Sequence, residues 1–88
     1  MHYVTEATYV GDYRIKVSFD DNEVKLVDLG PHLDAPILEP LKDISFLKTF
    51  TVNRDIDTIT WPNDADFPPD FLYEIGEPIN ERQHVADG

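Results

Sequence analysis

From Tyr13 to Phe19 apolar and polar side chains alternate without a break: Tyr13, Ile15, Val17 and Phe19 against Arg14, Lys16 and Ser18. A strand sends successive side chains to opposite faces, so this segment predicts a strand with one face on a core and one in water. Upstream, "YVTEATYV" is rich in β-branched and aromatic residues and predicts a second strand, with Gly11-Asp12 turning between the two. Downstream, "DDNE" precedes "VKLVDL". Asn tolerates a left-handed backbone better than most residues, which places a tight turn at Asp21-Asn22. In the third strand Val24 and Leu26 share one face while Val27 and Leu29 share the other. Either a bulge intervenes or the end of that strand is covered on both sides. Residues 3–29 are therefore expected to form a three-stranded antiparallel meander.

The pattern changes after Gly30-Pro31. "GPHLDAPILEP" carries three prolines in eleven residues and predicts a loop or extended crossing segment, with a short turn around His32 and Leu33. Asp43 is placed to cap a short helix "ISFLKTF", with Phe46, Leu47 and Phe50 facing the sheet. "FTVN" and "TITW" predict a second hairpin around "RDID", with Val52, Ile59 and Trp61 in the core. Pro69 suits the first turn of a helix "PDFLYEI", in which Phe71, Leu72 and Ile75 pack inward and Gly76 ends the run. "EPINERQHVADG" lacks periodicity and reads as a flexible tail. The expected fold class is α+β: the meander, a short helix, a second hairpin and a C-terminal short helix. Residues 1–76 form one domain in this reading, and 77–88 the tail.

Composition narrows the function. Eighty-eight residues suit one domain with a modest core, which buries only about 60% of the unfolded surface. There is no cysteine, which fits a reducing cytosol and excludes thiolate nucleophiles and zinc-thiolate clusters. Met1 leads at once into "HYVTEATYV", with no basic start or apolar signal core, and no apolar run approaches the roughly 20 residues of a membrane span. The expectation is a soluble, cytoplasmic protein. Eighteen acids against seven scattered bases give a net charge of -11, which repels nucleic acid and anionic membranes. Between Arg54 and Arg82 stand eight acids and no base: Asp55, Asp57, Asp64, Asp66, Asp70, Glu74, Glu77 and Glu81. They form either a solvated surface or a docking face for a basic partner.

The candidate chemistry is sparse. Ser18 lies on the polar face of a strand and Ser45 in a short helix; His2, His32 and His84 fall in a terminus, a proline-rich loop and the tail. Only His32 is placed to be held as a base, so no catalytic residue is assigned. No glycine-rich phosphate loop is present, and no cofactor is expected. "NDADFPPD" offers Asp64, Asp66 and Asp70 as hard oxygen ligands, the basis of an alternative reading as a ligand- or divalent-cation-binding domain with Tyr73 and Glu74. Against it stands the ordinary use of Asp in turns and caps, Asp66 being placed to cap the last helix. Trp61, before Pro62, either stacks on a ligand or closes a small core.

"VDL" at 27–29, "PLKDISFLKTFTV" at 40–52 and "TITWPNDADFPPDFLYE" at 58–74 together resemble the family called domain of unknown function 2442. The resemblance covers about residues 3–76 and is strongest in Trp-Pro-Asn-x-Ala-Asp followed by Pro-Asp-x-Leu-Tyr. It implies a small prokaryotic α+β domain of undefined activity, sometimes fused to a helix-turn-helix, a motif not expected within these 88 residues. It also implies frequent neighbourhood with a second small protein, as in toxin–antitoxin-like pairs. Nucleotide-cofactor labels carried by some members find no phosphate loop here. Where family turns usually carry glycine, this chain has Asn22 and Asp64, the residues that best tolerate left-handed backbone. That substitution favours a hinge, with Trp61 plugging the core, Pro62-Asn63-Asp64 turning and Pro69 starting the helix.

The functional expectation is an acidic protein-interaction module, the antitoxin-like or regulatory partner of a small basic protein. Asp64, Asp66, Asp70, Tyr73 and Glu74 are its candidate binding residues. The chain is expected to be a monomer or a weak homodimer pairing through an edge strand.

Overall fold

The computed structural model describes residues 1–79. Strands β1 (Val4–Gly11), β2 (Arg14–Phe19) and β3 (Val24–Asp28) are consecutive antiparallel neighbours, and a fourth strand beyond β3 completes the sheet. Ile15, Val17 and Phe19 of β2 are buried as the alternation requires. The β2–β3 register runs unbroken from Arg14↔Asp28 to Ser18↔Val24, so β3 carries no bulge. Its core face is Lys25, Val27 and Leu29, while Val24 and Leu26 stay half-buried on the other side. The apolar pattern of β3 misleads because a lysine occupies a core position. Its stem covers apolar surface while its ammonium reaches a polar partner at the edge.

After β3 the chain crosses in two 3-10 segments: Gly30–His32 matches the short turn expected around His32 and Leu33, while Pro36–Lys42 forms where only loop or extended chain is expected. Proline fixes φ near the 3-10 value, so Pro31 and Pro36 start these turns and do not break them. Leu33, Leu38 and Leu41 point into the core, and the Tyr13 hydroxyl donates to the Lys42 carbonyl at 2.6 Å. Helix α1 (Ile44–Leu47) is shorter than predicted, but Asp43 caps it as expected, accepting from the Ser45 amide at 3.0 Å. A second sheet pairs β4 (Thr51–Asn53) with β5 (Thr58–Thr60). Helix α2 (Pro69–Ile75) begins at Pro69 as predicted, with Leu72 fully buried.

Glu77 and Pro78 were assigned to the tail but form strand β6, paired with β3 as Lys25↔Pro78 and Leu26↔Glu77. The Ile79 amide extends the pairing by donating to the Val24 carbonyl at 2.9 Å. Two residues that pair through the backbone alone need no apolar period, so no pattern marks them. The rest of the predicted tail lies outside the described residues.

A four-residue and a seven-residue helix are too short to persist alone, and each is closed at its C-terminus by a side chain from elsewhere in the chain, one just past β5 and one on β3. Trp61 Nε1 donates to the Leu47 carbonyl at 2.8 Å, and Lys25 Nζ donates to the Tyr73 carbonyl at 2.8 Å. These are among the carbonyls that helix geometry leaves without partners.

Asn22 and Asp64 both adopt φ of 69°, the left-handed conformation expected of them. Replacing either by glycine should change stability by no more than about 1 kcal/mol, because relief of strain and greater unfolded-state freedom oppose each other. Alanine should be worse than glycine by about 1 kcal/mol at each site, since its Cβ resists this conformation. Urea denaturation of the four variants checks this; equal midpoints for the alanine and glycine forms would count against it.

Candidate functional site

The segment from Trp61 to Phe67 folds back on β5. The Asp64 amide donates to the Trp61 carbonyl at 2.9 Å, and the Trp61 amide donates to the Ala65 carbonyl at 3.0 Å. The Asn63 carboxamide accepts from the Ala65 amide at 3.2 Å and donates to the Ile37 carbonyl at 2.9 Å, tying the turn to the crossing segment. Asp66 pairs with Thr60 in an antiparallel bridge, and the Thr58 hydroxyl donates to the Phe67 carbonyl at 2.6 Å. The returning segment thus alternates like a strand. Ala65 and Phe67 point inward, Asp64 and Asp66 outward.

This geometry corrects one expectation: Asp66 does not cap α2. The N-cap position is Pro68, which offers no side-chain acceptor, and Pro69 has no amide hydrogen to satisfy. Trp61 is 3% exposed and packs edge-on against Phe50 and Phe67, with ring centroids 6.1 and 6.0 Å away. It closes the core, and at this burial its ring is not free to stack on a ligand.

On α2, Asp70 and Glu74 are exposed one turn apart, as their i, i+4 spacing dictates. Asp70 is engaged within the chain, its carboxylate accepting from the His2 amide at 2.7 Å. Tyr73 is the most heavily engaged of the predicted residues. The His2 ring stacks on it at 3.5 Å with planes 1° apart, and Lys25 Nζ sits 3.6 Å from the ring centre. Two groups that close to one ring centre cannot share a face, so Tyr73 is sandwiched between imidazole and ammonium. Phe19 meets it edge-on at 4.9 Å, and its hydroxyl donates to Asp21 Oδ2 at 2.8 Å.

The predicted residues are therefore not gathered into one pocket. Asp64 and Asp66 lie on the hinge, Glu74 on the helix surface, and Asp70 and Tyr73 hold the N-terminal segment down. Among the described residues no three of His, Asp and Glu converge as a metal-holding group. A half-open cavity of about 210 Å³ lies elsewhere, lined by Arg14, Leu26, Asp28, Ile75 and Glu77. Sequence reasoning singled out His32 as the one histidine that could be fixed, but His2 is fixed as well. The available signal for this cluster was Lys25, a lysine in phase with Val27 and Leu29.

The hydrogen bond to the Asp21 carboxylate, with smaller contributions from burial and from the charges of Asp21, Glu23 and Asp20, pushes the Tyr73 hydroxyl up from 10.0 to about 12. The Glu23 amide, opposed by burial and assisted by the Tyr73 hydroxyl and His2, holds Asp21 below its usual 3.8. A raised folded-state value means that the Tyr73 contribution is complete below pH 10 and is lost as pH rises from about 10 to about 12. Asp21 works in the opposite direction: its contribution is complete above 3.8 and is lost as acid protonates the folded form. In absorbance titration, Tyr73→Phe should delete an ionisation step near pH 12. An unchanged late step in the variant would contradict the assignment.

These features define a small α+β domain with antiparallel sheets and a few short helices, and with a structural hinge at its signature tryptophan. The chain belongs to the family described as "Protein of unknown function (DUF2442)", which matches residues 4–78. No curated protein matches it. It is similar in structure to a "Putative DNA Binding Protein" from Nitrosomonas europaea ATCC 19718, with a TM-score of 0.76 and 21% identity. That similarity covers 97% of this chain and 52% of the solved one, so this chain spans about half the length of that protein. At this identity the likeness shows the fold alone. No helix among the described residues is long and apolar enough to cross a membrane.

Proposed function

We propose that this domain is an acidic docking module for a positively charged protein, the antitoxin-like or regulatory partner of a small basic protein. One observation carries the reading. Asp55, Asp64, Asp66, Glu74 and Glu77 are all exposed, and the ion pairs formed among the described residues lie elsewhere, at Arg14–Asp12, Lys42–Glu39 and His2–Asp21. The hinge supports it physically, because burying Ala65 and Phe67 forces Asp64 and Asp66 outward on a rigid backbone. Unneutralised acids of this density steer a cationic partner and accelerate its encounter.

The description of the Nitrosomonas europaea protein bears on this chain only indirectly. A net charge of -11 sets the domain against direct contact with phosphates. A link to DNA would run through a basic partner that this domain holds or releases. The cation-binding alternative takes no support from carboxylates that stand apart. The test is affinity purification of the tagged domain from its native cell at low salt, beside titration with duplex DNA. A basic protein released by raised salt is the expected result. Tight binding of duplex DNA by the isolated domain would overturn the proposal.

A further inference from the structure

Five large apolar side chains are exposed among the described residues, and three of them belong to one end of the molecule: Met1 at 85%, Tyr3 at 39% and Ile56 at 46%. Single exposed hydrophobics need no explanation, but a contiguous group rimmed by polar residues marks an interaction surface. The backbone brings these residues together. The Tyr3 hydroxyl lies 3.0 Å from Met1 Sδ, and the Val4 amide donates to the Asp57 carbonyl at 2.9 Å, setting the β4–β5 turn with Ile56 beside the N-terminal segment. The rim is acidic. Asp20 accepts from the Tyr3 amide at 3.0 Å, Asp21 follows it, Asp55 and Asp57 flank Ile56, and Asp70 holds the His2 amide at 2.7 Å. Among the described residues the side-chain cations at this end are Arg54 and His2 when protonated; Lys25 lies beneath Tyr73 at 8% exposure.

We infer that this end is where the partner docks, and that the partner presents an amphipathic basic segment. Its apolar side chains cover Met1, Tyr3 and Ile56, and its lysines or arginines meet Asp20, Asp21 and Asp55. The inference rests on the docking reading above and adds the anchor. An apolar centre that includes an aromatic and a methionine, enclosed by a charged rim, has the composition of an interface core. The rim's charge selects a cationic occupant over a second copy of this acidic chain.

The probe is a short helix-forming peptide of leucine and lysine with leucines along one face, against a control peptide with glutamine in their place. Amide NMR shifts on titration should move at Met1, Tyr3 and Ile56 with the leucine peptide. Ile56→Asn and Tyr3→Ser, at exposed positions and checked for native melting, should each weaken its binding roughly tenfold, mostly through faster dissociation. The control peptide should bind more weakly and be indifferent to both variants. Salt-sensitive binding that both variants leave unchanged would overturn the anchor while leaving the acidic docking reading in place. Binding indifferent to salt would overturn the reading itself. Shifts at the same three residues that grow with protein concentration, without peptide, would assign the patch to a second copy and overturn this inference.

Discussion

Trp61→Ala should cost roughly 3–5 kcal/mol, enough to unfold or severely loosen a domain whose total stability is only about 5–15 kcal/mol. The side chain is 3% exposed and stands between Phe50 and Phe67, so its removal leaves a void that two further rings line. It also removes the donor that satisfies the Leu47 carbonyl at the end of α1, a helix of only four residues. Trp61→Phe separates the two effects. It retains most of the apolar volume but leaves a buried carbonyl without its partner, and should cost about 1–3 kcal/mol. Urea denaturation followed by far-ultraviolet dichroism checks both. A loss below about 1 kcal/mol for Trp61→Ala, with native spectra, would mean that the indole is a surface contact.

Gly76→Ala should destabilise by about 1–3 kcal/mol, although the same substitution often stabilises by removing unfolded-state freedom. Gly76 is buried with φ of −72° and ψ of 146°, a conformation any residue adopts, so strain at a left-handed position is not the reason. The reason is space. A Cβ at Gly76 would lie 2.8 Å from Lys25 Cβ and 3.0 Å from the Leu72 carbonyl oxygen. One is the root of a side chain and the other is backbone, so neither can swing aside. The chain must shift where α2 passes into β6, and the Lys25 contacts to the Tyr73 carbonyl and ring stretch with it. Denaturation midpoints of wild type and variant decide the sign; an equal or more stable variant would show that this approach is loose.

Gly76 also shows where sequence reasoning stops. That a glycine ends the helix was legible from its place after "LYEI", but why it must be glycine depends on Lys25, 51 positions earlier. Local signals served well wherever the cause was local. Period two gave β2, the Asp43 cap and Pro69 gave the helix starts, and the tolerance of Asn22 and Asp64 for left-handed backbone gave the turns. Trp61 was legible as core because a small domain has few other uses for its single tryptophan. The misreadings have non-local causes. Lys25 faces the core because a helix carbonyl and the Tyr73 ring receive its ammonium, and β6 exists because β3 has a free edge for it.

The candidate site was legible only in part. Sequence placed Asp64, Asp66, Asp70, Tyr73 and Glu74 in one acidic stretch, and the exposure of Asp64, Asp66 and Glu74 agrees with a surface role. It could not show that Tyr73 is bound to Asp21, 52 residues away, or that Asp70 is held by His2, 68 residues away. Those contacts turn two supposed ligand residues into fasteners of the N-terminal segment, and they leave the hinge and the outer face of α2 to carry the charge.

The most direct measurement is the association rate of the co-purified partner with this domain at low and at high salt. It compares wild type with the combined Asp64→Asn, Asp66→Asn and Glu74→Gln variant, none of whose carboxylates holds the fold. Charges separated by more than about 8–10 Å are screened at physiological ionic strength, so steering by these acids should fade as salt rises. The wild-type rate should fall steeply with salt, and the variant should be slower at low salt and nearly flat. A rate indifferent to both salt and neutralisation would contradict docking through the acidic face and leave these residues as solubilising surface.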